Sequence, residues 1–376
     1  MIASVSPFPY TAPIAPGDLI DRDEEAATLL DHARERLNSR LSAPRRFGKT
    51  SLLRRVLRDA ENEDWATVYV DFFGVLTLGD VADRIERACA RQLQGPLAAW
   101  FSGARRLLKP TARLGGGPVP AGLEVALDSQ AEPPLLDRLA LPVRLHERHG
   151  LRTLVVFDEF PDVLGASARA DAVVRSEIQH HADVASYVFA GSHVGMMRQL
   201  FGDRRRALYG QAAPLELSAL PPDEVASYVA GRFAETGRDP GVALDGLLDL
   251  AAGHPQRTML LAHLLWEETG AAGTATEETW QAVVERAARE LHDEHRAIWI
   301  GLGSGQRRVL AAVATNAAPL YSATRHFGGS RGGAVGSAVR QLLDRGEVVE
   351  DTTTATGYRV VDPLLAGWVR AGRPEE

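Results

Sequence analysis

Lysine is almost missing from this 376-residue chain. Of its 42 basic residues only Lys49 and Lys109 are lysines, and arginine supplies the rest. A lysine inside Gly48-Lys49-Thr50 therefore suggests a need for a compact ammonium and not merely for positive charge. Cysteine is scarcer still. Cys89 alone can close no internal disulfide and can build no thiolate metal site, which excludes a disulfide-stapled scaffold and fits a reducing cytoplasm. No apolar stretch approaches the roughly 18 residues that a bilayer span requires. The first sixteen residues are rich in proline and carry no Lys or Arg, so they lack the charged start and apolar run of a signal peptide and are expected to form an extended arm. A soluble, cytoplasmic protein with no membrane partner is the expectation.

Apolar residues make up 45% of the chain and charged residues 24%, proportions that leave no room for a largely disordered protein. The length suits two or three domains. A net charge of -7 counts against wholesale nucleic-acid binding while leaving open a basic face on one domain.

Hydrophobic periodicity orders the chain. A charged helix is expected over 21–36 with Asp21 as its N-cap, then a strand over 37–42 that is poor by composition and is inferred from the loop after it. Residues 43–47 form a turn, and a helix opens at Gly48-Lys49-Thr50. Thr67-Val68-Tyr69-Val70-Asp71-Phe72-Phe73 is a strong β segment. A helix through Val81, Ile85, Ala88 and Leu93 leads to a region broken by Gly115-Gly116-Gly117-Pro118, read as a hairpin insertion at about 105–130. A helix over 134–149 precedes Leu154-Val155-Val156-Phe157-Asp158-Glu159, a continuous apolar run ending in two acids, the pattern of a buried parallel strand. A helix over 172–181 and strands over 186–190 and 214–217 repeat the alternation. The fold class is thus α/β, a parallel sheet with helices on both faces. From 222 to 296 every periodic segment is helical, with breaks at 237–241, 253–255 and 270–273, and reads as an all-α lid. Helices over 306–314 and 332–343 followed by two short strands read as a winged helix. The expected division is an N-terminal arm at 1–18, a core at 19–220, a lid at 221–298 and a winged-helix domain at 299–376.

The chemistry concentrates in two places. Ala43-Pro44-Arg45-Arg46-Phe47-Gly48-Lys49-Thr50 fits the phosphate-binding loop of P-loop NTPases, with alanine at the first glycine position. Backbone N–H groups from Arg46 to Thr50 would wrap a phosphate at a helix N-terminus, Lys49 would reach the β- and γ-phosphates, and the Thr50 hydroxyl would ligate Mg²⁺. Asp158 would hold Mg²⁺ through water, and Glu159 would orient and deprotonate the attacking water. The chain has no Asn-Lys-x-Asp guanine box, so ATP is favoured over GTP. Ser192, after the next strand, is the candidate sensor of the γ-phosphate, although an ordinary glycine-rich cap would leave the same residues there. The pairs His146/His149, His180/His181 and His292/His295 form no His-Glu-x-x-His and are read as exposed helix histidines. Arg204-Arg205-Arg206 is either an arginine finger or a solvated charge run, and the second is favoured.

These residues resemble the archaeal-type ATPases of the STAND class, relatives of the AAA+ and origin-initiator ATPases. Leu19-Ile20-Asp21-Arg22 with Glu25 is similar to the box that packs near adenine, which implicates Arg22. The loop through Ser51-Leu52-Leu53 looks like the family's Pro-Arg-Arg loop, and Asp158-Glu159-Phe160 like its second acidic motif. Gly191-Ser192 with Val194-Gly195-Met196-Met197 resembles the sensor segment. Gly253-His254-Pro255 resembles the Gly-x-Pro lid motif, whose proline lies against adenine in relatives. Asp362-Pro363-Leu364-Leu365 with Trp368 is similar to the end of the winged-helix domain. Tyr209-Gly210-Gln211 departs from the usual Tyr-Gly-Arg. The resemblance implies an ATPase that hydrolyses ATP slowly and acts as a regulatory switch. The alternative is an initiator-like or transcriptional DNA-binding protein, with 332–343 as the recognition helix. The C-terminal segment from Gly303 carries nine arginines and seven acids, 9 − 7 = +2, which is thin for a phosphate-binding surface. Expected partners are ATP, a DNA or protein bound through the winged helix, and a second copy of the chain.

Overall fold

The structure, a computed structural model, describes residues 5–93, 97, 134–326 and 332–372. The expected hairpin insertion at about 105–130 lies outside the described residues. The chain divides into two compact units. One comprises Asp23–Ala43 and Leu52–Leu217; the other comprises Met1–Arg22, Pro44–Ser51 and Ser218–Glu376.

The first unit is built on a five-stranded sheet of β1 (Ser39–Ser42), β2 (Ala66–Asp71), β3 (Thr153–Asp158), β4 (Ala185–Gly191) and β5 (Ala213–Glu216), in the order β2-β3-β4-β1-β5. Every pairing is parallel, and helices cover both faces. β3 and β4 are buried at every position, as their apolar runs require of strands covered on both sides. Phe72, Phe157, Phe160, Tyr187 and Phe189 form the aromatic centre of this core, with Phe160 edge-on to Phe189 at 4.7 Å. β1 reads only Ser-Arg-Leu-Ser, yet it is held between β4 and β5, where backbone pairing outweighs its weak β propensity. The Leu78–Gln92 helix starts at a reciprocal capping box between Thr77 and Asp80.

Three local expectations shift. The first helix begins at Asp23, and Asp21 sits at φ 40° just ahead of it. The helix expected over 134–149 is interrupted at Ala140 because Pro142, at the second position of Leu141–His149, has no N–H to continue the preceding turn. β3 stops at Asp158, leaving Glu159 beyond the strand at φ 47°.

In the second unit the helices Pro222–Glu235, Ala243–Ala251, Pro255–Thr269 and Glu277–Ile300 are separated where the glycines predicted. Gly237, Gly241, Gly253 and Gly270 all take positive φ at those breaks. Their shared core includes Val229, Phe233, Leu247, Leu261 and Leu265, together with Phe8 from the N-terminal arm. Phe8 is completely buried, 5.5 Å from the Phe233 ring, so the arm is part of this core. A separate core gathers Val309, Leu310, Leu342 and Leu365. It joins helices Ser304–Thr315, Leu320–His326, Gly332–Arg345 and Pro363–Arg370 with an antiparallel hairpin of β6 (Val348–Glu350) and β7 (Tyr358–Val360). The second and last of these helices were not foreseen from the sequence. Among the described residues no helix is long and apolar enough to cross a membrane.

Truncating Phe8 to alanine is expected to cost about 3 kcal/mol, the usual penalty for emptying a buried aromatic site. Urea unfolding of Phe8→Ala checks this; an unchanged midpoint would mean that the arm is dispensable.

Candidate functional site

The parallel register brings the ends of β1, β3 and β4 to one edge of the sheet: Ser42 pairs with Gly191, and Asp158 comes directly after Phe157, which pairs with Phe189. Asp158, 4% exposed, closes β3. A buried carboxylate needs hydrogen-bond donors. Its Oδ2 accepts the Tyr69 hydroxyl at 2.5 Å and its Oδ1 accepts the Glu159 backbone N–H at 2.9 Å. Glu159 occupies the left-handed region, a strained position for a residue with a Cβ. Its Oε2 accepts both the backbone N–H of Ser192, at 2.9 Å, and the Ser192 hydroxyl, at 2.8 Å. Two residues 33 positions apart in sequence, both singled out from it, are thus joined. Gly191 is required beside them, because a Cβ there would lie 2.8 Å from the Pro161 ring.

The loop is described with the second unit. Ala43, where the loop pattern starts, is 1% exposed and is not among the residues with positive φ, so alanine meets no left-handed strain there. The left-handed turns fall instead at Arg46, φ 65°, and Gly48, φ 83°. Lys49 opens the Lys49–Glu61 helix, whose first turn contains no acid to compete for an anion. Lys49 is 6% exposed, and its Nζ donates to the Pro44 carbonyl at 3.5 Å, folded over its own loop. The Ser51 hydroxyl accepts the Ile14 N–H at 3.0 Å, which ties the N-terminal arm to the loop.

Phe47, buried from the loop, meets the His254 ring edge-on at 4.9 Å. Gly253 takes φ 68° and leaves no space for a Cβ, which would lie 2.4 Å from the Leu220 carbonyl oxygen. His254 caps the next helix by accepting the Arg257 N–H, and Pro255 takes the first helical position. Arg22, 5% exposed, donates to the Ser218 carbonyl at 2.8 Å, a contact that anchors the chain on entering the helical region.

An ion network runs from the loop. Arg46 donates to Glu294 Oε1 at 2.7 Å, and the same oxygen accepts from Arg257 at 2.8 Å. Arg257, 2% exposed, also donates to Asp362 at 2.5 Å. Asp362 in turn caps the Pro363–Arg370 helix through the Leu364 N–H. Burial alone would raise the Asp362 pKa, but hydrogen bonds from His295 and Arg257 and the guanidinium charge hold it well below the usual carboxylate range. Glu294, His295 and Asp362 come within 4.8 Å of one another, a spacing a cation could use. The Arg257 and Arg46 guanidiniums together balance the two carboxylates, so this cluster is an ion-pair network. His295, expected on an exposed face, is 2% exposed, and His181 is 1% exposed beside the Tyr187 hydroxyl. Both expectations fail because these rings turn inward. Arg205 pairs with Asp203 and its side chain is 88% exposed, whereas the Arg206 side chain, 27% exposed, lies 3.7 Å from the buried Asp171 carboxylate.

The hydroxyl of Thr50 and the carboxylate of Asp158 are hard oxygen donors of the kind Mg²⁺ takes, so the residues present suit that ion. Tyr69, Arg257 and Glu294 were missed from the sequence. Tyr69 had a signal, since it alternates with Asp71 on the strong β segment expected over 67–73. Arg257 and Glu294, 37 residues apart on two helices, had none.

No family model matches the chain, and no curated protein matches it by sequence. Solved structures do. The Walker-type ATPase PABY2304 of Pyrococcus abyssi is similar over 96% of this chain and 99% of its own, with a TM-score of 0.68 and 18% identity. The ORC2 protein of Aeropyrum pernix, solved in ADPNP–ADP complexes, is similar over 96% and 97%, with a TM-score of 0.57 and 16% identity. The chain therefore has the fold of a P-loop ATPase with a helical lid.

Burial depresses the His254 pKa from 6.5 to about 4. The unfolded chain then binds the extra proton first, so this contribution is present above pH 6.5 and is lost as pH falls toward 4, at most about 3 kcal/mol. His181, also lowered by burial, acts in the same direction. Urea midpoints measured from about pH 7 to 4 should fall less steeply for His254→Asn, which keeps a capping side chain without the titration.

Proposed function

We propose that this protein binds ATP with Mg²⁺, hydrolyses it slowly, and acts as a nucleotide-controlled regulatory switch of the STAND type. The observation that carries the reading is the loop itself. A left-handed turn, a buried lysine and an acid-free helix start coincide at residues 46–50, and Phe47 and Arg46 tie them to the His254 and Glu294 side chains. The likeness to a Walker-type ATPase and to a protein solved with ADPNP and ADP supports the choice of ligand.

In this reading the loop from Ala43 to Ser51 cradles the phosphates, and Lys49 brings positive charge to them. Thr50 and Asp158 serve the Mg²⁺, whose charge offsets that of the triphosphate. Glu159 is the base and Ser192 the sensor; Arg22 and Pro255 belong to the nucleotide's surroundings. The double hydrogen bond from Ser192 engages the Glu159 carboxylate, which supports slow turnover. The functional division that accompanies these roles is a core at 19–220, a lid at 221–298 and a winged-helix domain at 299–376. The Gly332–Arg345 helix before the β6–β7 hairpin supports the winged-helix assignment.

The switch follows from charge. A phosphate oxygen arriving at the loop competes with Glu294 for Arg46. The freed Glu294 then leans on Arg257, the same guanidinium that holds Asp362 and the start of the last helix. Nucleotide occupancy thereby changes the hold on the C-terminal segment.

Fluorescent-nucleotide binding and phosphate release test the site. Lys49→Ala should lose both, whereas Glu159→Gln should keep binding and lose at least on the order of 100-fold in turnover. Turnover that persists in Lys49→Ala rejects the assignment. Hydrogen exchange in 363–370 should respond to ATP in the unmodified chain and stop responding in Glu294→Gln. DNA binding at low salt, which the switch reading does not need, would favour the initiator-like alternative.

A further inference from the structure

Tyr69 lies on β2, an edge strand of the sheet among the described residues. Parallel register pairs Tyr69 with Val156 and Asp71 with Asp158, so the tyrosine and Asp158 share one face as diagonal neighbours on adjacent strands. An aromatic side chain can cover that diagonal, and the Tyr69 hydroxyl reaches Asp158 Oδ2 at 2.5 Å. The tyrosine is itself held. On the side of β2 away from β3, Gln92 pairs with the backbone: its Oε1 accepts the Tyr69 N–H at 2.8 Å and its Nε2 donates to the Tyr69 carbonyl at 2.8 Å. The hydroxyl is thus presented from a backbone position fixed on both sides.

We propose that Tyr69 is a positioning residue for Asp158, setting the orientation of the carboxylate that serves the magnesium ion of the nucleotide. This rests on the proposed nucleotide site. The two oxygens of Asp158 are engaged by different donors, Oδ1 by the Glu159 N–H and Oδ2 by the Tyr69 hydroxyl. The hydrogen bonds from the Tyr69 hydroxyl and the Glu159 N–H engage one oxygen each and so fix the plane of the carboxylate. A neutral O–H donor does this without adding a positive charge that would repel the cation. Partners of this kind behind a metal ligand set its geometry, and their loss weakens metal affinity.

Tyr69→Phe removes the hydroxyl and keeps the ring, so packing on β2 is preserved. Binding of a fluorescent ATP analogue is measured in EDTA and across a Mg²⁺ titration, with thermal unfolding followed alongside. The expected result is unchanged affinity in EDTA and a rise on the order of tenfold in the Mg²⁺ concentration giving half the metal-dependent enhancement. An unchanged Mg²⁺ dependence overturns the proposal. Equal weakening with and without Mg²⁺ also overturns it, because the hydroxyl would then be a general structural support. If the unmodified chain binds no nucleotide, the parent reading falls and takes this inference with it; the first two failures remove the role of Tyr69 alone.

Discussion

A single buried cation organises the second unit. The Arg257 guanidinium has almost no access to water, and an ion so placed is tolerated only when fixed anions surround it. Asp362 and Glu294 supply them from a helix cap and from within the Glu277–Ile300 helix. Removing Asp362 would leave the buried guanidinium without its more buried counter-charge, a change that typically costs about 3 to 5 kcal/mol. The requirement holds the Pro255–Thr269, Glu277–Ile300 and Pro363–Arg370 helices to a common point. Because Glu294 is shared with Arg46, the same point reaches the loop. Such a network is poorly suited to maximising stability and well suited to sensing an added anion, which is the role given to it in the proposed switch.

The first unit depends on a different constraint. Parallel strands covered on both faces direct their carboxyl ends to one edge, where chain reversals expose backbone and side chains for binding. Asp158, Glu159 and Ser192 meet there, and their hydrogen bonds are already made: Tyr69 and the Glu159 N–H orient the aspartate, and Ser192 holds the glutamate. In the proposed function, an aspartate oriented toward a metal beside a glutamate engaged by a neighbour is what a slowly hydrolysing site would need. Binding and turnover are then governed by different contacts.

Much of the framework was legible because it depends on short-range rules. The apolar run from Leu154 to Phe157 could satisfy its side chains only as a buried strand. Glycines at 237, 241, 253 and 270 marked the lid's breaks because each needs a positive φ that other residues resist. β1 was legible only indirectly, through the loop after it, since Ser-Arg-Leu-Ser has little strand character of its own. His181 and His295 were misplaced because a polar ring gives no indication in the sequence of what packs against it. The arm was read as merely extended, while Phe8 fills a core more than 200 residues away in sequence from its neighbour Phe233.

The sequence by itself determined the alternation of strands and helices, the position of the loop, the acids at the end of a buried strand, and the glycine punctuation. Each is enforced by local backbone geometry or by the burial of contiguous apolar side chains. Only the tertiary structure decided which carboxylate neutralises which guanidinium, that Tyr69 donates to Asp158, and that Ser192 engages Glu159. Such pairings arise between groups far apart in the chain, and their strength depends on distance and desolvation, which come into being only when the elements pack.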